Sequence, residues 1–263
     1  MDSINNKVVW ITGASSGIGE AMAYELSQRN CKLILSARNI ENLERVKAKC
    51  ADTEVFVLPF DLADFDKAES HAATAISFFG KIDILINNGG VSQRSLIAAT
   101  DFEVDKKLIE VDYLGTVALS KALLPHFIKN QKGHFITITS LMGKFGSPYR
   151  SGYCGAKHAL HGFFDVLRME HQKDNINVTL ICPGFIKTNV AINALTADGS
   201  KQNKDDIATL NGMDVGMFAK KLVKAVEAKK FEAYIGGKEV LGVYMKRFFP
   251  KLLHRFVLKS KVR

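Results

Sequence analysis

The chain has 263 residues, of which 47% are apolar and 24% are charged, so it can form the core of one large α/β domain and is unlike a disordered chain. Residues 1–219 contain 23 basic and 24 acidic side chains, a net charge of −1, whereas residues 220–263 contain 13 basic and 3 acidic ones, a net charge of +10. This distribution argues against a nucleic-acid-binding protein, which is expected to carry basic residues over its body as well.

Short runs of apolar residues alternate along the chain with longer amphipathic segments. Runs such as VVWIT, LILSA, ILIN and FITIT are apolar at consecutive positions, as strands covered on both faces should be. We predict strands at 7–12, 32–37, 54–59, 82–87, 134–140, 177–182 and 233–235, and helices that include 18–29, 64–79, 104–129 and 155–171. The alternation predicts an α/β fold in one domain, residues 1–238: a Rossmann-like doubly wound parallel sheet of about seven strands with helices on both faces.

A glycine-rich turn, TGASSGIG, follows the first predicted strand and precedes a helix. Gly13 permits a tight turn, Gly17 lets the backbone approach a pyrophosphate, and Gly19 lets the helix pack closely on the strand. The pattern at this place predicts a dinucleotide-binding turn, which also includes Ser15, Ser16 and Ile18.

The end of the second predicted strand reads SARN and contains no acidic residue. Sites for NAD usually place a carboxylate there for the ribose hydroxyls. A guanidinium instead suits a 2′-phosphate, because it donates two parallel hydrogen bonds to the anion. We therefore predict NADP(H) as the cofactor, with Arg38 as the phosphate anchor and Asn39 beside it. The alternative for Arg38 is a solvated surface side chain.

The stretch YCGAK places Tyr153 and Lys157 four residues apart, which is one face of a helix. A free phenol, with a pKa of about 10, exchanges protons slowly near neutral pH, and a neighbouring ammonium favours the phenolate. Ser140 ends a predicted strand thirteen residues before Tyr153, and its hydroxyl can stabilise charge that grows on a substrate oxygen. The three side chains predict a proton-transfer centre, although Ser140 taken alone also fits a turn-capping hydroxyl.

Six motifs in register resemble the short-chain dehydrogenase/reductase family: TGASSGIG, Asp61-Leu62, Asn87-Asn88-Gly89-Gly90, Ser140, YCGAK and the stretch PGFIKT at 183–188. The likeness covers residues 7 to about 236, and the stretch NNGGVSQRS is similar to the branch around dehydrogenase/reductase member 7. The resemblance implies an enzyme that interconverts a carbonyl and a secondary alcohol by hydride transfer, with a small-molecule substrate.

The resemblance also implies roles for single residues. Tyr153 would be the general acid or base, Ser140 would polarise the substrate oxygen, and Lys157 would tune Tyr153 and bind the nicotinamide ribose. The cofactor would contact Asp61 and Leu62 at the adenine, and Asn88 and Gly89 after the fourth strand. Tyr153 and Lys157 would also contact it, as would Pro183, Gly184, Ile186 and Thr188 at the nicotinamide half.

One position departs from the family pattern. Asp112 stands where the family usually has an Asn that helps hold a water between the Lys and solvent. A carboxylate accepts hydrogen bonds but does not donate them, and its charge favours the ammonium of Lys157. We expect Asp112 to belong to the catalytic group and to alter the pH optimum.

The polar segment 188–211 interrupts the strand–helix rhythm after the sixth predicted strand. Ligands of open α/β sheets bind beyond the carboxyl ends of the strands, and loops of this length are usually lids or disordered segments. We predict a substrate lid here and expect 92–96 to help shape the pocket.

The tail, residues 239–263, carries seven Lys or Arg and no acidic residue from Tyr244 onward. Its large apolar residues recur at spacings of three and four, and Pro250 is expected to begin a second helix or to kink the first. Such a helix fits either an anionic membrane surface or packing on the protein's own core or on a sister subunit.

Four cysteines without a C-x-x-C pair indicate free thiols in a reducing compartment. The first residues do not read as a signal peptide, so we expect a cytoplasmic protein that is at most peripherally membrane-associated. The histidines show no spacing typical of a metal site, and we expect no metal in the chemistry. Family habit suggests a homo-oligomer, a dimer or tetramer. The alternative function is a catalytically weak NADP(H)-binding scaffold or sensor.

Overall fold

The computed structural model describes residues 3–260 and contains a parallel sheet of seven strands. The strands are β1 (Val8–Thr12), β2 (Lys32–Ser36), β3 (Val55–Val57), β4 (Ile84–Asn87), β5 (Gly133–Ile138), β6 (Ile176–Pro183) and β7 (Glu232–Ile235). They lie in the order β3-β2-β1-β4-β5-β6-β7, so the chain reverses its direction of travel across the sheet between β1 and β4. A crevice forms at such a reversal, beyond the carboxyl ends of the strands.

Helices cover both faces of the sheet. They are α1 (Gly17–Ser27), α2 (Ile40–Lys47), α3 (Ala68–Phe79), α4 (Phe102–Ile109), α5 (Gly115–Lys129), α6 (Ser151–Glu170), α7 (Ile207–Leu210), α8 (Val215–Glu227), α9 (Leu241–Phe248) and α10 (Pro250–Lys259). The seven-stranded Rossmann-like sheet and the helical layers confirm the predicted fold class.

The core consists of two apolar layers, one on each face of the sheet. On one face, α1 and α8 pack residues such as Met22 and Phe218 against the strands. On the other face, α3, α5 and α6 pack residues such as Phe127 and Phe164. Because both faces are covered, successive residues of β1 are all buried, as the consecutive apolar runs predicted.

Two helices differ from their predicted bounds. The catalytic candidate Tyr153 lies inside α6, which begins at Ser151 rather than near Gly155. The segment 104–129 is not one regular helix, because a π-helical turn at Glu110–Leu114 separates α4 from α5. Such turns insert one extra residue into a helix and re-aim the side chains around it.

The carboxyl-terminal segment folds back onto the body. Pro250 occupies the first turn of α10, as predicted for a residue that begins a second helix. Leu253 is buried against Leu141 and Phe145, close to the end of β5. Among residues 3–260, no helix is both long enough and apolar enough to cross a bilayer.

Candidate active site

The glycine-rich turn joins β1 to α1 at the crevice. Gly13 and Gly17 have φ angles of +63° and +57°, which residues with a side chain rarely adopt. A Cβ atom on Gly13 would lie 2.7 Å from Cα of Gly89, so the turn and the end of β4 touch at the backbone. Asn88 fixes this contact, because its side-chain amide donates to the carbonyls of Thr12 at 3.0 Å and Gly13 at 3.1 Å.

The amino terminus of α1 faces Thr188 across the crevice. A Cβ on Gly17 would lie 3.3 Å from the Thr188 side chain, and Gly17 is also the first residue of the helix. A helix amino terminus presents unpaired N–H groups and a positive dipole end to an anion. The cradle therefore fits a dinucleotide pyrophosphate, and the structure brings Ser15, Ser16, Ile18 and Gly19 together around it.

Arg38 follows β2 at the outer edge of the crevice. Its side chain is 64% exposed, and a guanidinium nitrogen lies 3.6 Å from a carboxylate oxygen of Asp61, which follows β3. The side-chain oxygen of Asn39 accepts from the Asn42 amide at 2.8 Å and caps α2. The exposure of Arg38 leaves most of its donors available to an anion.

A second arginine near this edge was missed by sequence reasoning. Arg45 on α2 donates to both carboxylate oxygens of Glu20, at 2.6 and 3.0 Å, and to the Ser15 carbonyl at 3.1 Å. This bidentate pair raises the pKa of Arg45 and lowers that of Glu20. Its only sequence signal was a basic residue seven positions after Arg38, which no motif distinguished.

The remaining cofactor candidates line the crevice after β3, β4 and β6. Leu62 lies so close to Gly89 and Gly115 that a Cβ at either glycine would press on it. Pro183 ends β6, and the residues that follow it up to Thr188 pass along the same edge. The Glu239 carboxylate packs against Gly184, where it leaves no room for a side chain, and it accepts from the Phe185 amide at 3.0 Å. Of the four predicted residues, Thr188 faces the glycine-rich turn at Gly17, whereas the Ile186 side chain is buried in the core, so only the main chain of Ile186 is left for a cofactor contact.

Lys157 lies at the centre of the predicted catalytic group. Its Nζ atom is 5.6 Å from the ring centroid of Tyr153, 3.4 Å from Oδ2 of Asp112, and 3.4 Å from the carbonyl of Ile138, to which it donates. Lys157 is 5% exposed and Asp112 is fully buried. The structure thus brings Tyr153, Lys157 and Asp112 together, as expected from the sequence.

The buried charges of Asp112 and Lys157 depend on each other. Burial raises the pKa of Asp112, and the attraction of Lys157 offsets that rise only in part. Burial by itself lowers the pKa of Lys157, but Asp112 and then Tyr153 outweigh it, and the pKa of Lys157 lies above its usual range. Asp112 therefore favours the ammonium form of Lys157, which is the effect expected from the substitution.

Asp112 reaches this position through the π-helical turn. Its Oδ1 atom accepts from the Val91 amide at 2.7 Å, which ties the turn to the loop after β4. A Cβ on Gly90 would lie 3.0 Å from Oδ1 of Asp112 and 3.3 Å from Nζ of Lys157. Gly90 is thus a site residue that the sequence analysis did not predict, although it belongs to the NNGG motif.

Ser140 follows β5, and the structure shows the turn-capping role considered for it. Its Oγ atom accepts from the Met142 amide at 3.1 Å, so it caps the short turn Leu141–Gly143. Among residues 3–260, the Ser140 hydroxyl donates to no protein acceptor. Capping and substrate binding are therefore compatible, because the hydroxyl proton remains available.

Gln93 positions the amino terminus of α6 and was missed by sequence reasoning. The side chain is fully buried, and its oxygen accepts from the amides of Gly152 at 2.9 Å and Tyr153 at 3.3 Å. These are orphan donors of the first helical turn, which a side-chain oxygen commonly satisfies. An isolated Gln in a loop has no local pattern from which this long-range cap follows.

A buried ion cluster also joins the segment 188–211 to α6. Asp206 Oδ2 accepts from Arg94 at 2.8 and 2.6 Å and from Arg150 at 3.3 Å. Burial, followed by repulsion from Arg94, lowers the pKa of Arg150 to about 10, a value at which the guanidinium stays charged at neutral pH. The main chain of Leu195 is bonded to Ser92 and Arg94, so the segment is docked at several points.

A different group of side chains lies one helical turn beyond Lys157. His161, Cys182 and Glu232 place one potential ligand atom each within 4.8 Å of the others, which the sequence spacings did not suggest. Lys144 already pairs with Glu232 at 2.6 Å, and Thr139 donates to the Cys182 sulfur at 3.2 Å. Most of the potential ligand atoms of this group therefore already have hydrogen-bond or ion-pair partners within the protein.

The sequence and the fold have known counterparts. The family model described as short chain dehydrogenase matches residues 7–198. The mouse protein "Dehydrogenase/reductase SDR family member 7B" is 39% identical over 267 residues, 99% of this chain and 82% of its own. The human "Dehydrogenase/reductase SDR family member 7" is 46% identical over 205 residues, 75% of this chain and 60% of its own.

Solved structures share the fold. A Burkholderia phymatum short chain dehydrogenase/reductase in complex with NAD has a TM-score of 0.84 and 20% identity, with 96% of each chain covered. An alcohol dehydrogenase from Thermococcus sibiricus complexed with 5-hydroxy-NADP has a TM-score of 0.75 and 25% identity, over 88% of this chain and 97% of that one. Both nicotinamide dinucleotides occur among these neighbours.

Proposed function

The chain belongs to the short-chain dehydrogenase family, and from this premise we propose that it is an NADP(H)-dependent oxidoreductase that interconverts a carbonyl and a secondary alcohol. The observation that carries the proposal is the convergence of Tyr153, Lys157 and Asp112 beside the glycine-rich turn. Ser140 follows β5, the strand whose last residue, Ile138, accepts from Lys157.

The chain's own residues handle the proton and the charge. When bound, the reduced nicotinamide supplies a hydride for the carbonyl carbon of the substrate. Tyr153 donates its phenolic proton to the carbonyl oxygen, and Ser140 donates a hydrogen bond to that oxygen as negative charge grows there. Lys157 stabilises the phenolate left on Tyr153, and Asp112 keeps Lys157 charged. In the alcohol-oxidising direction, Tyr153 takes the proton instead.

Two basic side chains at the outer edge support NADP(H) over NAD(H). Arg38 is exposed and Arg45 contacts the Ser15 carbonyl, whereas β2 ends without a carboxylate. Asp61, which is proposed to contact the adenine, lies 3.6 Å from the Arg38 guanidinium, so the two proposed cofactor contacts are neighbours. A 2′-phosphate would complete the hydrogen bonding of the Arg38 guanidinium.

The segment 188–211 is proposed as the wall that covers the substrate. Leu195 packs with Val91 and Tyr153 in a small apolar cluster, so the segment reaches the candidate proton donor. A side chain packed on Tyr153 from this direction restricts water access to the phenol and supplies an apolar surface for the substrate.

The decisive test of catalysis is the Tyr153→Phe variant in an NADPH-consumption screen over small keto compounds, quinones, steroids and retinoids. Loss of the proton donor is expected to lower kcat roughly 10²- to 10⁴-fold without changing NADPH binding. Tyr149→Phe is the comparison variant, because Tyr149 is the competing phenol four residues away, without a Lys four residues after it. Because Tyr149 is proposed as a substrate-pocket or structural residue, this variant should lose far less turnover than Tyr153→Phe. Undiminished turnover in Tyr153→Phe would contradict the catalytic assignment, and tight NADPH binding without turnover of any compound would favour a scaffold or sensor.

The cofactor assignment is tested separately with Arg38→Ser. Loss of charge-assisted hydrogen bonds, about 1.5–3 kcal/mol, should reduce kcat/KM for NADPH roughly 10- to 100-fold. The same variant measured with NADH is the internal control and should change little. Equal losses with the two cofactors would show that Arg38 does not contact a 2′-phosphate.

A further inference from the structure

The two carboxyl-terminal helices have two apolar faces. The inner face includes the buried Leu253, which packs on Leu141 and Phe145, together with the half-buried Val243 and Val257. Away from this inner face, six large apolar side chains are 45–69% exposed: Tyr244, Phe248, Phe249, Leu252, Phe256 and Leu258. Of these, Tyr244 still makes an edge contact with the ring of Tyr234. Self-packing therefore accounts for one face of the tail and leaves the other uncovered. Six large apolar side chains exposed on two short consecutive helices are more than the scattered single residues of an ordinary surface and indicate an interaction site.

Cations lie among the exposed apolar side chains, and on α10 Lys251, Arg255 and Lys259 lie on the side opposite the buried Leu253. The helices carry Lys246, Arg247, Lys251, Arg255 and Lys259, and no acidic residue follows Glu239. Within residues 3–260, none of these five cations forms an ion pair. Exposed aromatic and aliphatic residues flanked by unpaired Lys and Arg are the composition of helices that lie in the interface of an anionic bilayer.

From these observations we propose that α9 and α10 form a docking surface for an anionic lipid membrane. Phe248, Phe249 and Phe256 enter the boundary between headgroups and acyl chains, and the cations bind lipid phosphates and carboxylates. A second copy of the chain fits the surface less well. A two-fold contact through this face would set the cations of one copy against those of the other, and α9 and α10 carry no acidic residue that would compensate them.

The docked orientation also indicates a substrate class, an inference that rests on the proposed function. The inner face of the tail packs on the loop Leu141–Phe145, which directly follows Ser140. A membrane bound at the outer face lies on the same side of the protein as that loop. The substrate class that fits this arrangement is an apolar carbonyl or alcohol drawn from the lipid phase.

Vesicle co-sedimentation of the full 263-residue chain tests the docking itself, without substrate or cofactor. We expect binding to phosphatidylcholine vesicles that contain phosphatidylserine, little binding to phosphatidylcholine alone, and release at high salt. Two variants separate the contributions: Phe248→Ser with Phe256→Ser, and Lys246→Gln with Lys251→Gln and Arg255→Gln. Each set should weaken binding to anionic vesicles at least tenfold.

Matched controls carry the same chemistry elsewhere. Phe102→Ser removes a phenylalanine that is 78% exposed on α4, and Lys121→Gln with Lys129→Gln and Lys132→Gln removes three exposed cations near α5. Both controls should bind as the unaltered chain does, and urea unfolding verifies that every variant is folded. The proposal is overturned if the full chain fails to bind anionic vesicles, if the tail variants bind like the controls, or if Phe248→Ser with Phe256→Ser only abolishes self-association. None of these results depends on catalysis.

Discussion

Replacing Asp206 with Asn removes the only carboxylate from the buried cluster with Arg94 and Arg150. The side chains of Arg94, Arg150 and Asp206 are 4%, 6% and 1% exposed, so water cannot take over the lost charge. Asn has nearly the same shape as Asp, and the two guanidinium groups would stay buried beside each other without a counter-charge. Breaking a buried pair in this way costs about 3–5 kcal/mol.

Urea unfolding, followed by circular dichroism, measures this loss. With an m value of about 3 kcal/mol per molar urea for a chain of this length, a loss of about 3–5 kcal/mol should lower the midpoint by about 1–1.7 M. Asp64→Asn is the control, because Asp64 pairs with Lys67 at 3.3 Å on the surface and its side chain is 53% exposed. That variant should lose less than about 1 kcal/mol.

A double-mutant cycle distinguishes charge burial from a lost hydrogen bond. Arg150→Met removes one of the two guanidinium groups, so the Asp206→Asn change should cost at least about 1 kcal/mol less in that background. If Asp206→Asn lies within about 1 kcal/mol of the unaltered chain, or if the cycle shows no coupling, the cluster does not anchor the segment 188–211.

Three further predictions address the site and the core. Asp112→Asn removes the counter-charge of buried Lys157, so the pKa of Lys157 should fall and the alkaline limb of the pH–rate profile should move to lower pH; superimposable profiles would contradict this. Burial lowers the pKa of His134 to about 4. As the pH falls, the unfolded chain therefore binds a proton at this histidine near pH 6.5, but the folded chain does so only near pH 4. The free energy of unfolding should decrease by up to about 3 kcal/mol between these two pH values. In His134→Gln, urea unfolding at several pH values should show a smaller decrease in the free energy of unfolding over this range. If the free energies of the variant and the unaltered chain fall in parallel with pH, the prediction is wrong. Gly17→Ala and Gly80→Ala both place a side chain at positive φ, so each should reduce the free energy of unfolding by about 1–2 kcal/mol. Only Gly17 lies in the cofactor turn, so only Gly17→Ala should also weaken NADPH binding in a fluorescence titration.

The sequence by itself determined the features that depend on neighbours along the chain. Consecutive apolar residues marked β1, β2, β4 and β5, because a strand covered on both faces leaves no polar side. The spacing in YCGAK placed Tyr153 and Lys157 on one helical face, and the glycines of the first turn indicated a positive-φ backbone. Pro250 indicated the start of α10, because proline lacks the N–H that a helix interior requires.

Tertiary structure decided the features that join distant segments. Asp112 meets Lys157 only because a π-helical turn splits the segment 104–129, and no local periodicity signals that turn. Arg94 and Asp206 are 112 positions apart, and each taken alone reads as an ordinary surface charge. The tail shows the same division. Its stripe of apolar residues was legible in the chain, but only packing shows that one face is covered by Leu141 and Phe145 while the other stays exposed. Burial and partner choice are properties of the packed molecule, because they depend on which segments the sheet brings side by side.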